Sequence, residues 1–184
     1  MSAAHLQLEG YSTTLFNDGT HRWFDEKRYR LCSSDAATTD REVLASLIGQ
    51  PSYKGSAAVP SPVRSGSLRE DFGSFGNQMQ ERDRVHGPYW LRCITPDRFE
   101  AIDLAAVRDR LMVWGLIGGD GIPVKGLDEV ERLEEIARRS TGLFWLRKLD
   151  DGCLLPWNYF GAWAEFVIVD RQGGEVLLVV ASGD

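Results

Sequence analysis

The chain has 184 residues and a mass of 20.6 kDa, enough for one well-packed domain and short for two. Hydrophobic residues make up 43% and charged residues 26%, which excludes a disordered chain, and no apolar run approaches the roughly 18–20 residues of a membrane-spanning helix. The net charge of −6 sits in the second half: residues 1–94 hold eleven basic and eleven acidic side chains, residues 95–184 ten and sixteen, a field that repels nucleic-acid phosphates and favours a basic protein partner.

Met1-Ser2-Ala3-Ala4-His5 shows no basic stretch ahead of an apolar one, so no signal peptide is expected and the reading is a cytoplasmic protein. Residues 11–16 and 21–24 flank Asn17-Asp18-Gly19-Thr20, whose Asp-Gly step is a hairpin turn signal because glycine accepts positive φ. Residues 28–32 extend the second strand or make a third. Thr39-Asp40-Arg41-Glu42 reads as a capping box, after which Val43, Leu44, Leu47 and Ile48 form one helical stripe that Gly49 and Pro51 end. Residues 50–67 are Ser, Pro, Gly and Ala with little to bury, and predict a long surface loop. Residues 77–85 predict a short irregular helix.

After Gly87-Pro88 a strand is expected over 89–94. Thr95-Pro96 is a helix start with proline at the first turn, and Leu104, Val107, Leu111 and Trp114 make a helical stripe. A turn at Gly118-Gly119-Asp120-Gly121 leads to an acidic helix over 127–140 with Gly142 as its cap. Strands are expected over 143–149, 163–170 and 175–181, the last two joined by Arg171-Gln172-Gly173-Gly174, with Asp150-Asp151-Gly152 a tight turn. The order β-α-β-α-α-β-β-β predicts an α+β fold: an antiparallel sheet with a C-terminal β-hairpin and helices packed on one face, in a single domain over 1–184.

Signals of catalysis are sparse. Cys32, Cys93 and Cys153 are about sixty residues apart, with no Cys or His at metal-ligand spacing, and are expected to be free thiols without a role in activity. The Gly118–Gly121 turn lacks the Gly-Lys-Ser/Thr of a phosphate loop and places Asp120 where an anion would sit. No Gly-x-Ser-x-Gly elbow occurs. The adjacent pairs Glu134-Glu135 and Asp150-Asp151 diverge instead of converging on one atom. Neither a catalytic residue nor a cofactor is assigned.

The feature that stands out is aromatic: Phe144, Trp145, Trp157, Tyr159, Phe160, Trp163 and Phe166 fall within 24 residues. Consecutive residues of an extended Trp157-Asn158-Tyr159-Phe160 cannot all face one core, and exposed rings beside acids suit a protein-binding hot spot. Trp157 and Tyr159, with Asp150 and Asp151 nearby, are the candidate partner site. Pro156 suits a strand edge there.

Ala164 to Asp184, two strands about a Gly-Gly turn with a terminal Asp, resembles the close of small acidic bacterial immunity proteins. That resemblance implies a protein that neutralises a cognate toxin by occluding a basic surface, with no nucleic-acid or membrane partner. The alternative is an enzyme, or a small-molecule-binding module, using the 50–88 region with Arg64, Arg69 and His86 together with the aromatic segment.

Overall fold

The computed structural model describes residues 5–17, 21–32, 38–53, 85–116, 124–155 and 162–183. Strands β1 (Leu6–Asn17) and β2 (His21–Leu31) form the expected hairpin, paired antiparallel from Leu6↔Leu31 to Asn17↔His21 with an irregularity between Leu8 and Gly10. Helix α1 (Asp40–Gly49) opens on the predicted capping box, Thr39 and Glu42 each bonding the other's backbone amide. It ends without a left-handed glycine. Gln50 is extended, as a residue before proline prefers, and Pro51 stops the helix.

Residues 89–94 were expected to be one strand. The structure has only β3 (Val85–His86) and β4 (Tyr89–Trp90), a two-stranded ribbon, before the chain tightens into a 3₁₀ turn at Leu91–Cys93. Thr95-Pro96 likewise opens a 3₁₀ turn, Pro96–Arg98, and not a helix. Next come β5 (Phe99–Ala101), α2 (Leu104–Leu116) and α3 (Val124–Arg138). Asp103 caps α2 by accepting the Ala106 amide at 2.7 Å. At the end of α3 the Ser140 hydroxyl and amide both donate to the Ala137 carbonyl, so Gly142 is freed from capping and begins β6 (Gly142–Leu146). Strands β7 (Ala162–Asp170) and β8 (Glu175–Gly183) close the fold.

Among the described residues six strands join one antiparallel sheet in the order β1-β2-β8-β7-β6-β5, with β1 and β5 at its edges. The fold is α+β, and the C-terminal hairpin is its centre. On the back face Val107 and Leu111 of α2 and Val130, Leu133 and Ala137 of α3 pack against Phe24, Phe166, Ile168, Leu177 and Val179. The helical layer expected on one face is joined by a third helix on the other: Val43, Leu44 and Leu47 of α1 meet Leu6, Tyr29, Val167, Val169, Val176 and Leu178. Coverage on both faces explains why β8 reads as a continuous apolar run instead of an alternating one, every residue after Glu175 being buried. Among the described residues no helix is long and apolar enough to cross a membrane.

Candidate functional site

Beyond the patch that α1 covers, the front face of the sheet turns polar. Strand register sets Thr13, Asp25, Val180 and Glu165 in one row, with Leu15, Trp23, Ser182 and Trp163 in the next. Glu165 lies within the otherwise apolar run of β7 and is fully buried, as are His86 and Tyr53. Buried charge is tolerated only when paired, and here the pairing is complete. The Tyr53 hydroxyl donates to Glu165 Oε1 at 2.7 Å, and His86 Nε2 lies 2.7 Å from Oε2.

The protons can be placed by elimination. His86 Nδ1 is 2.7 Å from the Tyr53 carbonyl, which only accepts, so Nδ1 carries hydrogen. The remaining proton lies between Nε2 and Oε2, as imidazolium with carboxylate or as imidazole with carboxylic acid. Either way the pair is neutral overall, which is what makes full burial affordable in a low-dielectric core. Burial first, then the charge and hydrogen bond of Glu165, push the Tyr53 hydroxyl well above the usual phenol range and keep it protonated.

Local structure delivers each member. A turn after α1, with the Tyr53 amide on the Gln50 carbonyl at 3.0 Å, swings Tyr53 over the sheet. Its ring stacks on His86 with centroids 3.9 Å apart, and Trp163 meets the other ring edge-on at 5.8 Å. His86 is placed by the β3–β4 turn, where Gly87 has φ +53 and Pro88 follows with the negative φ its ring imposes. The Tyr29 hydroxyl pairs with Ser52 Oγ at 3.0 Å, and Lys27 donates to the Ser52 carbonyl.

A second group adjoins it at the β1–β2 edge. The hydroxyls of Thr13 and Tyr11 donate to Asp25 Oδ1 at 2.6 and 3.1 Å. Burial raises the Asp25 pKa above the ordinary carboxylate value, against the opposing pull of Thr13, Tyr11 and Lys27. Ionising Asp25 is therefore harder in the folded chain than in the unfolded one. Its contribution to stability is whole below the ordinary pKa and is lost as pH rises through the raised folded value. Asp25→Asn is expected to gain stability relative to wild type between about pH 3 and pH 7. Urea titrations of both proteins across that range check it, and a difference that is flat or runs the other way contradicts it.

Three large side chains stand exposed on the outer surface of this edge, with the exposed Thr13 between two of them. Leu8, Tyr11 and Leu15 lie opposite Tyr29, Lys27 and Trp23, so all three share the front face, the irregularity at Leu8/Gly10 restoring the phase. Their exposures are 43, 56 and 41%, and among the described residues Leu127 is the only other exposed large hydrophobic side chain.

Of the residues singled out in the sequence, Trp157 and Tyr159 lie outside the described residues, as do Arg64, Arg69, the Gly118–Gly121 turn and residues 77–84 of the helix expected over 77–85, whose last residue, Val85, is in strand β3. Of the loop expected over 50–67, only 50–53 is described. Asp150 and Asp151 are exposed where the chain enters the 3₁₀ turn Asp151–Cys153, and Arg98 approaches Asp150 at 4.0 Å. They adjoin β5, at the sheet edge opposite β1. The acidity of α3 is partly matched within the molecule, Glu129 pairing with Arg132 and Glu134 with Arg108. Sequence reasoning named His86 and missed Glu165, Tyr53 and the β1 stripe. The available signal for Glu165 was a lone acid inside an apolar strand. Among the described residues no group of three or more His, Cys, Asp or Glu could hold a metal ion.

Neither a protein-family model, nor a curated protein, nor a solved structure matches the chain.

Proposed function

We propose that this is a binding protein that holds a protein partner along strand β1, acting as an immunity-type inhibitor that occludes a toxin with a basic surface. The observation that carries the reading is the apolar stripe Leu8, Tyr11 and Leu15 on the front of an edge strand 12 residues long. Long, exposed edges are templates for an added strand; β1 carries neither Lys nor Pro, and its blunting features, Glu9 and the irregularity between Leu8 and Gly10, lie near its start and leave Tyr11 to Leu15 regular. Main-chain bonds would supply affinity, and side chains alternating along the strand would supply selection. The inhibitor class rests on the C-terminal hairpin's resemblance, and the basic partner on the net charge of −6, which residues 95–184 carry and which steers approach instead of adding contacts at β1.

The enzyme or small-molecule reading draws on His86, but both its ring nitrogens and both Glu165 oxygens are engaged internally, and neither side chain reaches solvent. Their arrangement suits a brace better than a reacting centre.

Tyr11 supplies the test. Its ring is more than half exposed, so Tyr11→Ala is expected to weaken partner binding by about 2 kcal/mol, roughly 30-fold in Kd. Loss of fold stability should be about 1–2 kcal/mol, for the hydrogen bonds of its hydroxyl with Asp25 and Thr13, and affinity is therefore measured where both proteins are fully folded. The partner is isolated by co-purification and identified by mass spectrometry, and each protein is then titrated against it. A Tyr11→Ala protein that binds as tightly as wild type removes β1 from the interface.

A further inference from the structure

Two of the three cysteines, distant in sequence, meet in the fold. The 3₁₀ turns Leu91–Cys93 and Asp151–Cys153 each end on a cysteine. Between them Tyr89 bridges Leu154, and the Leu155 amide donates to the Pro88 carbonyl at 2.9 Å. Both cysteines are half-buried and pack against the same front core, each at the end of its turn, and Cys93 is the neighbour with the largest effect on the Cys153 thiol. Cys32 is exposed near the end of β2, with its sulfur 3.8 Å from the Arg30 carbonyl. Apolar packing accounts for a half-buried thiol, but it does not require two to face each other across a join of two turns.

We propose that Cys93 and Cys153 are a redox-responsive dithiol, a modification site that closes to an intramolecular disulfide when the chain meets a low-molecular-weight disulfide such as oxidised glutathione. The neighbouring Cys93 first, and burial second, raise the Cys153 pKa, and either thiol can open the exchange, Cys93 for instance. The Cys93 thiol gives up its proton, and its sulfur attacks one sulfur of the oxidant. The oxidant's S–S bond breaks and one glutathione leaves with a proton. Cys153 then loses its proton and attacks the Cys93 sulfur of the mixed disulfide, expelling the second glutathione. Two thiols are oxidised by two electrons, and one glutathione disulfide becomes two glutathione thiols. The new bond ties the turn carrying Asp150 and Asp151 to the β3–β4 ribbon and closes a loop containing β5, α2, α3 and β6.

The full-length reduced protein is incubated with oxidised glutathione, alkylated and mapped by peptide mass spectrometry. The expected product is a monomer in which the peptides of Cys93 and Cys153 are linked, while Cys32 is alkylated or carries glutathione. Its Tm should rise by about 5 °C or more, through restriction of the unfolded chain, and should fall back on addition of a dithiol reductant. Cys93→Ser should leave a single glutathione on Cys153 and no rise. Separate adducts on Cys93 and Cys153, both thiols remaining open to alkylation, or a link only between molecules would each overturn the proposal, and none of these readings depends on partner binding.

Discussion

Replacing Glu165 with alanine is expected to destabilise the protein by about 3–5 kcal/mol, the range for removing one member of a buried ion pair. The carboxylate accepts from Tyr53 and shares a proton with His86, all three side chains being fully buried. Without it the tyrosine hydroxyl and the imidazole Nε2 lose their partner where water does not reach, and each unsatisfied group carries a desolvation penalty. Glu165→Gln separates this cause from lost packing. A neutral imidazole with hydrogen on Nδ1 still donates to the Tyr53 carbonyl, its Nε2 can accept from the new amide, and the amide oxygen can accept from Tyr53. The glutamine variant should therefore retain most of the stability that the alanine variant loses. Urea unfolding of the three proteins reads the difference. Equal losses for both variants would mean that the hydrogen bonds do not brace the fold as described.

Gly87→Ala should cost about 3 kcal/mol from two causes acting at one position. At φ +53 an L side chain meets its own backbone, a strain of roughly 1–2 kcal/mol. The added Cβ would also fall 2.2 Å from Cη2 of Trp163, and relieving such overpacking typically costs about 1–3 kcal/mol. The Trp163 ring cannot swing away freely, because it is set by β7 and stands edge-on to His86. Gly152→Ala is the control, since an added Cβ there meets nothing within 4 Å. Thermal unfolding should show a large fall in Tm for Gly87→Ala and little change for Gly152→Ala. Equal Tm values would mean that the close approach of Gly87 to Trp163 is not part of the folded state.

These two positions also mark what the sequence can and cannot disclose. Local signals were decisive where one segment satisfies itself: the Thr39–Glu42 capping box, the Leu104–Leu111 stripe and the β7–β8 hairpin all lie where periodicity placed them. They failed at residues 91–93, which tighten into a turn closed by the Ile94 amide on the Leu91 carbonyl, just after Pro88 and Tyr89 have paired with Leu155 and Leu154, instead of extending. The polar centre was hidden for the same reason. Tyr53, His86 and Glu165 come from a turn, a short ribbon and a central strand, and no spacing rule connects them. Cysteine spacing was misleading in a related way, because Cys93 and Cys153 are isolated along the chain while the segments beside them pair across it. The β1 stripe was harder to read, since the shift between Leu8 and Gly10 breaks strict alternation and places Leu8 and Tyr11 on one face despite their odd separation.

Amide hydrogen exchange on the free and complexed protein reads whether β1 receives the partner. Unpaired amides on the outer side of an edge strand exchange readily, and pairing with a partner strand slows them. On complex formation new protection is expected in β1 (Leu6–Asn17), concentrated around Tyr11. Protection confined to the opposite edge of the sheet, around Asp150 and Asp151, with β1 exchanging as in the free protein, would contradict it.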